Sequence, residues 1–168
     1  MLLALYWGFA QAQPQAPNVR YEPSPMNVVQ TMTELAAVAE GDVVYDLGCG
    51  DGRIPIAAAQ QYGARGVGID IDPVRIADAQ ENARSAGVAE RIQFRNEDLF
   101  SVDLKDANVV MLFLSAEFNL ALRPRLQALK SGTRVVSHWH SMGEWKPLKQ
   151  ESVTRGWRDH PVYLWVIP

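Results

Sequence analysis

The stretch from Val43 to Tyr62 limits the possible folds more than any other part of the chain. It runs from an apolar Val43-Val44-Tyr45 into Asp46-Leu47-Gly48-Cys49-Gly50-Asp51-Gly52, then into a helix-forming segment, Arg53 to Tyr62. A short run of apolar β-formers without polar alternation is expected of a strand covered on both faces, as in a parallel sheet. Glycines directly after such a strand allow a tight turn and let backbone approach a ligand closely. Strand, glycine turn and helix in that order predict the opening unit of a βαβ fold.

The rest of the chain repeats the alternation. Asn27 to Ala39 carries a helical apolar stripe, with Asn27 as its expected cap. Gly66 to Ile71 reads as a second strand, and Asp72-Pro73 as cap and first residue of a helix reaching about Ala86. Arg91 to Phe94 reads as a third strand and Asn108 to Leu114 as a fourth, almost wholly apolar and therefore central. Glu117 to Lys130 is expected to be helical, with Pro124 kinking it or starting a second segment. Thr133 to His138 is a fifth strand, and Lys149 to Thr154 is expected to pair with Val162 to Ile167 as a hairpin. The predicted fold class is α/β: a Rossmann-like, doubly wound, seven-stranded sheet, mostly parallel, with a C-terminal antiparallel hairpin.

In such sheets ligands bind at the carboxyl ends of the strands, near the point where strand order reverses. The loop Gly48-Cys49-Gly50 lies there, but a glycine loop alone also suits NAD or FAD. The dinucleotide pattern would need glycines at 48, 50 and 53, and residue 53 is Arg. Asp46 and Asp51 flank the loop, where carboxylates would repel a pyrophosphate and attract the α-ammonium of S-adenosylmethionine. Asp70 ends the second strand 22 positions beyond Gly48, the interval expected of a carboxylate that accepts from both ribose hydroxyls. After the third strand, Asp98 is placed to accept from the exocyclic amine of adenine, with Ile71 or Leu99 against the ring. Structural readings compete: Asp46 or Asp70 could cap the following helix, and Asp98 could be a solvated loop residue. Cys49 reads as a small residue in a tight loop.

On the acceptor side, Glu117, Asn119, His138, Trp139 and His140 fall at the ends of central strands. Glu117, Asn119 and His138 are the candidate catalytic residues, as acceptors of a leaving proton. Helix capping and a packed imidazole are the alternatives. An Asn-Pro-Pro-Tyr-like tetrad, expected of adenine or glutamine methylation, is absent after the fourth strand. His138 and His140 have same-face strand spacing, yet no third ligand is evident, and no metal is expected. Trp145, Trp157 and Trp165 are expected to pack the hairpin.

At these residues the chain resembles the class I, seven-β-strand methyltransferases, and within them the small protein-lysine methyltransferases of archaeal and mitochondrial type. The resemblance is carried by Tyr21-Glu-Pro-Ser-Pro25, Val44 to Arg53, Val109 to Leu114 with Asn119, Leu122 to Leu126, Gly132 to His138, Trp145, and His160 with Val162 to Val166. It implies that Tyr21 and Ser24 lie over the cofactor, that Asn119 and His138 stand near the methyl group, and that the acceptor is a lysine of a protein. A small-molecule acceptor, or a module that binds the cofactor without transfer, are the rival functions.

Composition narrows the partners. The 168 residues suit one domain, with 48% hydrophobic and 21% charged residues. The net charge of −3 lacks the basic footprint of a nucleic-acid binder, so none is expected as partner. Cys49 is the sole cysteine, which rules out an intrachain disulfide. Stable membrane insertion is not expected. Residues 1–20 are assigned to a tail and 21–168 to the domain. Leu2 to Ala10 is apolar and Ala10-Gln11-Ala12 has the small-x-small form of a cleavage site, although Arg20 is the first basic residue. Both a cytoplasmic location and export with cleavage before Gln13 are open.

Overall fold

The computed structural model describes residues 21–168, so the proposed tail and cleavage site lie outside the described residues. The elements in chain order are α1 (Met26–Leu35), β1 (Val43–Leu47), α2 (Arg53–Tyr62), β2 (Arg65–Asp70), α3 (Pro73–Ser85), a 3₁₀ turn (Ala89–Arg91), β3 (Ile92–Asn96), β4 (Val109–Leu112), α4 (Ala116–Gln127), β5 (Arg134–His138), β6 (Lys149–Arg155) and β7 (Arg158–Val166). The strands form one seven-stranded sheet in the order β3-β2-β1-β4-β5-β7-β6. β1 to β5 pair in parallel, and β7 runs antiparallel to both β5 and β6. The expected fold class is the observed one, with β4 in the middle of the sheet.

The apolar run of β4 explains that placement. Val109 and Met111 enter a core layer with Val28, Val29 and Met32 of α1 and with Ile54, Ala57 and Ala58 of α2. Val110 and Leu112 point the other way, into a layer with Leu122 and Leu126 of α4, Val135 and Trp165. Alternate residues of one strand thus fill both cores, and a polar residue at any of these positions would be buried without a partner. Arg134 at the start of β5 ties the layers together: its guanidinium donates to the carbonyls of Ala36 and Ala37 and pairs with Asp42 at 2.6 Å.

Asp72 caps α3 by accepting from the Val74 amide, with Pro73 at the first helical position, as its sequence predicts. Three local expectations need correction. Pro25, not Asn27, precedes α1, because Pro25 has already set the entry backbone and Asn27 lies inside the helix. That helix stops at Leu35 rather than Ala39, since Ala37 adopts a left-handed φ of 48°. α4 is a single helix that contains Pro124.

Candidate functional site

The chain leaves β1 outward to β2 and β3, then returns to β4 on the opposite side of β1. Strand order therefore reverses between the carboxyl ends of β1 and β4, and a cavity of about 480 Å³ opens there. That size suits a cofactor-sized ligand. Its floor is the turn after β1, where the amides of Gly48 and Cys49 both donate to the Ile69 carbonyl. Gly48 and Gly50 have φ of 82° and 53°, in the left-handed region. A Cβ at Gly48 would sit 2.7 Å from Leu114, and one at Gly50 2.6 Å from the Tyr21 ring, so side chains are excluded on two counts.

Four carboxylates expected from the sequence converge on this cavity in different electrostatic states. Asp46 is buried, and burial, then Asp70, then Asp51, push its carboxyl well above the ordinary range. No hydrogen-bond donor among the described residues offsets this. Asp70 is engaged by backbone: one oxygen accepts from the Gly50 amide at 2.9 Å, the other from the Asp72 amide at 3.0 Å. Each oxygen keeps a further lone pair for a ligand. Asp51 is burdened by burial, but the bonds and charge of Arg53 outweigh this and hold its carboxyl below the usual range, with a contact of 2.6 Å. Its charge is thus spent inside the protein, and the repulsion of an anionic ligand is left to Asp46 and Asp70. Asp98 is exposed at the far end and accepts from the Phe100 amide. Ile71 and Leu99 line the cavity beside it. Cys49 is buried and its thiol is pushed up by burial, so it is not a nucleophile.

Residues 21–24 form a strap over the cavity. Arg53 donates to the Ser24 carbonyl at 2.8 Å, and the Arg75 guanidinium stacks over the Tyr21 ring at 4.8 Å. Burial, then the neighbouring Asp51, raise the Tyr21 hydroxyl. The Ser24 hydroxyl bonds to Nδ1 of His138 at 2.9 Å. Sequence reasoning did not assign Arg53 or Arg75 a place here; an arginine two positions from an aspartate gives no signal of what roof it will hold.

The proposed acceptor-side residues separate. His138 is buried among Phe113, Trp139 and His160, and burial, then His160 and His140, lower its pKa to about 3. Its imidazole is therefore neutral at physiological pH. Asn119 is buried but does not line the cavity. Its Nδ2 donates to Ser137 Oγ and to the His140 carbonyl, each at 2.9 Å, while its Oδ1 is buried without a partner. Glu117 is exposed in the first turn of α4, also outside the cavity. Trp139 leaves β5 with a φ of 75°, so period-two spacing ends at His138; His140 lines both the cavity and a second cleft, whereas His138 lines the second cleft alone. Trp145 and Trp165 do pack together, 5.5 Å apart, but Trp157 is 86% exposed at the hairpin tip beneath Arg158. A second cleft, between the strap and that tip, is lined by Glu22, Phe113, His138, Trp139, His160 and Trp157.

The profile of a family described as the ANTKMT methyltransferase domain matches residues 46–149. A protein-lysine N-methyltransferase of Saccharolobus islandicus (strain REY15A) is 44% identical over 153 residues, covering 90% of this chain and 95% of that protein. The adenine nucleotide translocase lysine N-methyltransferase of Mus musculus is 34% identical over 87% of this chain, which spans only 63% of the mouse protein. Among solved structures, one described as an RNA methyltransferase from Salinibacter ruber, in complex with S-adenosyl-L-homocysteine, superposes with a TM-score of 0.82 at 50% identity, covering 88% of this chain and 94% of that one.

Proposed function

This chain belongs to the ANTKMT methyltransferase-domain family, and from that premise we propose that it transfers a methyl group from S-adenosylmethionine to the side-chain amine of a lysine in a protein. The observation that carries the cofactor is Asp46. A buried carboxylate with two acidic neighbours and no donor is stabilised by a cation, and an α-ammonium fits that need where a phosphate does not. The residues present fit the rest of the ligand. The spare lone pairs of Asp70 would accept from ribose hydroxyls, Ile71 and Leu99 would hold the adenine ring, Asp98 would accept from its amine, and Tyr21 and Ser24 would close the roof.

When bound, the cofactor supplies a methyl on an already activated sulfonium, so no metal or enzyme nucleophile is required. The chain's own task is alignment, exclusion of water and removal of a proton. A lysine amine with a pKa of about 10.4 costs roughly 4.6 kcal/mol to neutralise at pH 7. Phe113, Leu114 and Phe118 give the cavity an apolar wall that disfavours the ammonium form. Glu117 and Asn119 stand outside the cavity, whereas His140 lines it directly and Ser24 on its wall bonds to His138; of these, the Ser24–His138 line is the one that continues by hydrogen bonds, through His160, away from the cavity.

A second reading, transfer to RNA, is favoured by the description of the Salinibacter ruber structure and by Arg155, Trp157 and Arg158 beside the second cleft. The net charge of −3 and the acidic cavity favour the protein acceptor. Labelled S-adenosylmethionine added with the enzyme to a cell lysate decides between them. Mass spectrometry is expected to find the label on lysine; label confined to RNA or to small metabolites would reject the lysine reading while keeping the methyltransferase.

A further inference from the structure

We propose that Ser24, His138 and His160 form a proton relay that carries the acceptor's proton from the cofactor cavity to the second cleft. The proposal deepens the amine-acceptor reading and rests on it. Ser24 lines the first cavity and His160 the second cleft. Between them, Ser24 Oγ lies 2.9 Å from His138 Nδ1, and His138 Nε2 lies 3.0 Å from His160 Nδ1. The three side chains come from the strap, β5 and β7, so the tertiary fold alone assembles the line.

The hydrogen bonds are reversible in a specific way. Two donor patterns satisfy the same four atoms. In one, Ser24 donates to His138 Nδ1, and His138 donates from Nε2 to His160. In the other, His160 donates from Nδ1 to His138, and His138 donates from its own Nδ1 to Ser24. These are the arrangements before and after one proton has passed. As the acceptor ammonium gives a proton to Ser24 Oγ, the serine proton moves to His138 Nδ1, and the His138 Nε2 proton moves to His160 Nδ1. The amine ends neutral, Ser24 and His138 end neutral, and His160 ends as an imidazolium. Its Nε2 proton then passes to water in the cleft. Rotation of the hydroxyl and exchange of ring protons with water restore the first pattern.

The surroundings separate the two rings. His138 is enclosed by Phe113 and Trp139 and is held neutral, as a carrier that never rests charged must be. His160 is only half-buried, and the groups around it from neighbouring elements are Glu22 on the strap, Arg155 at the end of β6, Arg158 on β7, and His138 and His140 at the end of β5. A purely structural role for the Ser24 hydroxyl is weakened because Arg53 already holds the strap by the Ser24 carbonyl.

Two measurements on the full chain test the relay. The first uses tritiated S-adenosylmethionine with heat-treated lysate protein as acceptor, and compares wild type with His160→Ala and His160→Gln. Glutamine can keep a hydrogen bond to His138 but cannot carry the proton onward. Both variants are expected to form methyl-lysine about 100-fold more slowly near neutral pH and to recover as pH rises toward about 10, where the ammonium loses its proton unaided. Affinity for S-adenosylhomocysteine should stay within about twofold, since His160 lies outside the cofactor cavity. Rescue by Gln, or an unchanged pH–rate profile, overturns the relay; absence of methyl-lysine in the wild type overturns the lysine reading and the relay together. The second measurement is nitrogen NMR of the histidine rings. Charging His160 puts protons on both its nitrogens, which forces a neutral His138 into its Nδ1–H form. His138 should therefore move to its Nδ1–H tautomer as the solution is acidified, and should lose that response in His160→Gln. A His138 ring that retains its Nε2 proton throughout overturns the relay.

Discussion

Asp46 has an ionised form that burial and two neighbours oppose, so its effect on stability depends on what fills the cavity. Its pKa is raised in the fold, so its contribution to stability is present below the unfolded carboxylate pKa and is lost as pH rises through the raised value. Asp46→Asn should therefore raise the melting temperature of the ligand-free protein at neutral pH and weaken S-adenosylhomocysteine by roughly 1.5–3 kcal/mol, about 10- to 160-fold. Thermal melts and calorimetry check the two signs; a variant that binds as tightly as wild type would remove Asp46 from the site. His138 works in the opposite sense. With a pKa lowered to about 3, it resists a proton that the unfolded chain accepts near 6.5, so its contribution is full above that value and is lost as pH falls toward 3. Near pH 5 this costs about 2 kcal/mol. Urea unfolding of His138→Gln should fall less steeply with acid than wild type does; because Asp46 is common to both, the difference isolates the imidazole.

The turn after β5 shows why a buried polar residue outside the cavity still bears on function. Trp139 holds a left-handed backbone without being glycine, and Asn119 secures it by gripping Ser137 and the His140 carbonyl. Asn119→Ala should destabilise the protein by about 1–2 kcal/mol and slow methyl transfer, yet leave S-adenosylhomocysteine affinity near wild type, because the residues proposed to hold the cofactor belong to other turns. Equal losses in affinity and rate would place Asn119 at the cofactor instead. The same turn marks where sequence reasoning stops. α2 and α3 were legible because Gly63, Asp72 and Pro73 carry their own boundary chemistry. The glycine loop and its carboxylates were legible because spacing along β1 and β2 sets which residues reach the strand ends. The left-handed Ala37 and Trp139 carry no residue signal. His160 meets His138 across 22 residues and Ser24 meets it across 114, so the line they form follows from sheet order rather than local pattern.

Across the whole molecule, the strap before α1 and the carboxyl ends of β1 to β4 with the turns that follow them supply most of the cavity, while the strand interiors face helices or other strands. No helix among the described residues is long and apolar enough to cross a membrane. Volume-conserving exchanges such as Val110→Ile with Ile69→Val should cost under about 1.5 kcal/mol. A saturating ligand, at about 100 times its Kd, adds about 2.7 kcal/mol, or roughly 5–10 °C, so the exchanged protein should still show the ligand-induced rise in melting temperature. Loss of that rise in the exchanged protein would mean that the core shapes the cavity directly.

Sheet and rim answer to different pressures. Inheritance can rewrite the buried strands gradually, one compensated volume at a time, whereas a rim position that holds a ligand answers to an atom that does not vary. In descendants of this chain, the turns that follow the strands should keep a legible record of ancestry long after the strands themselves have drifted.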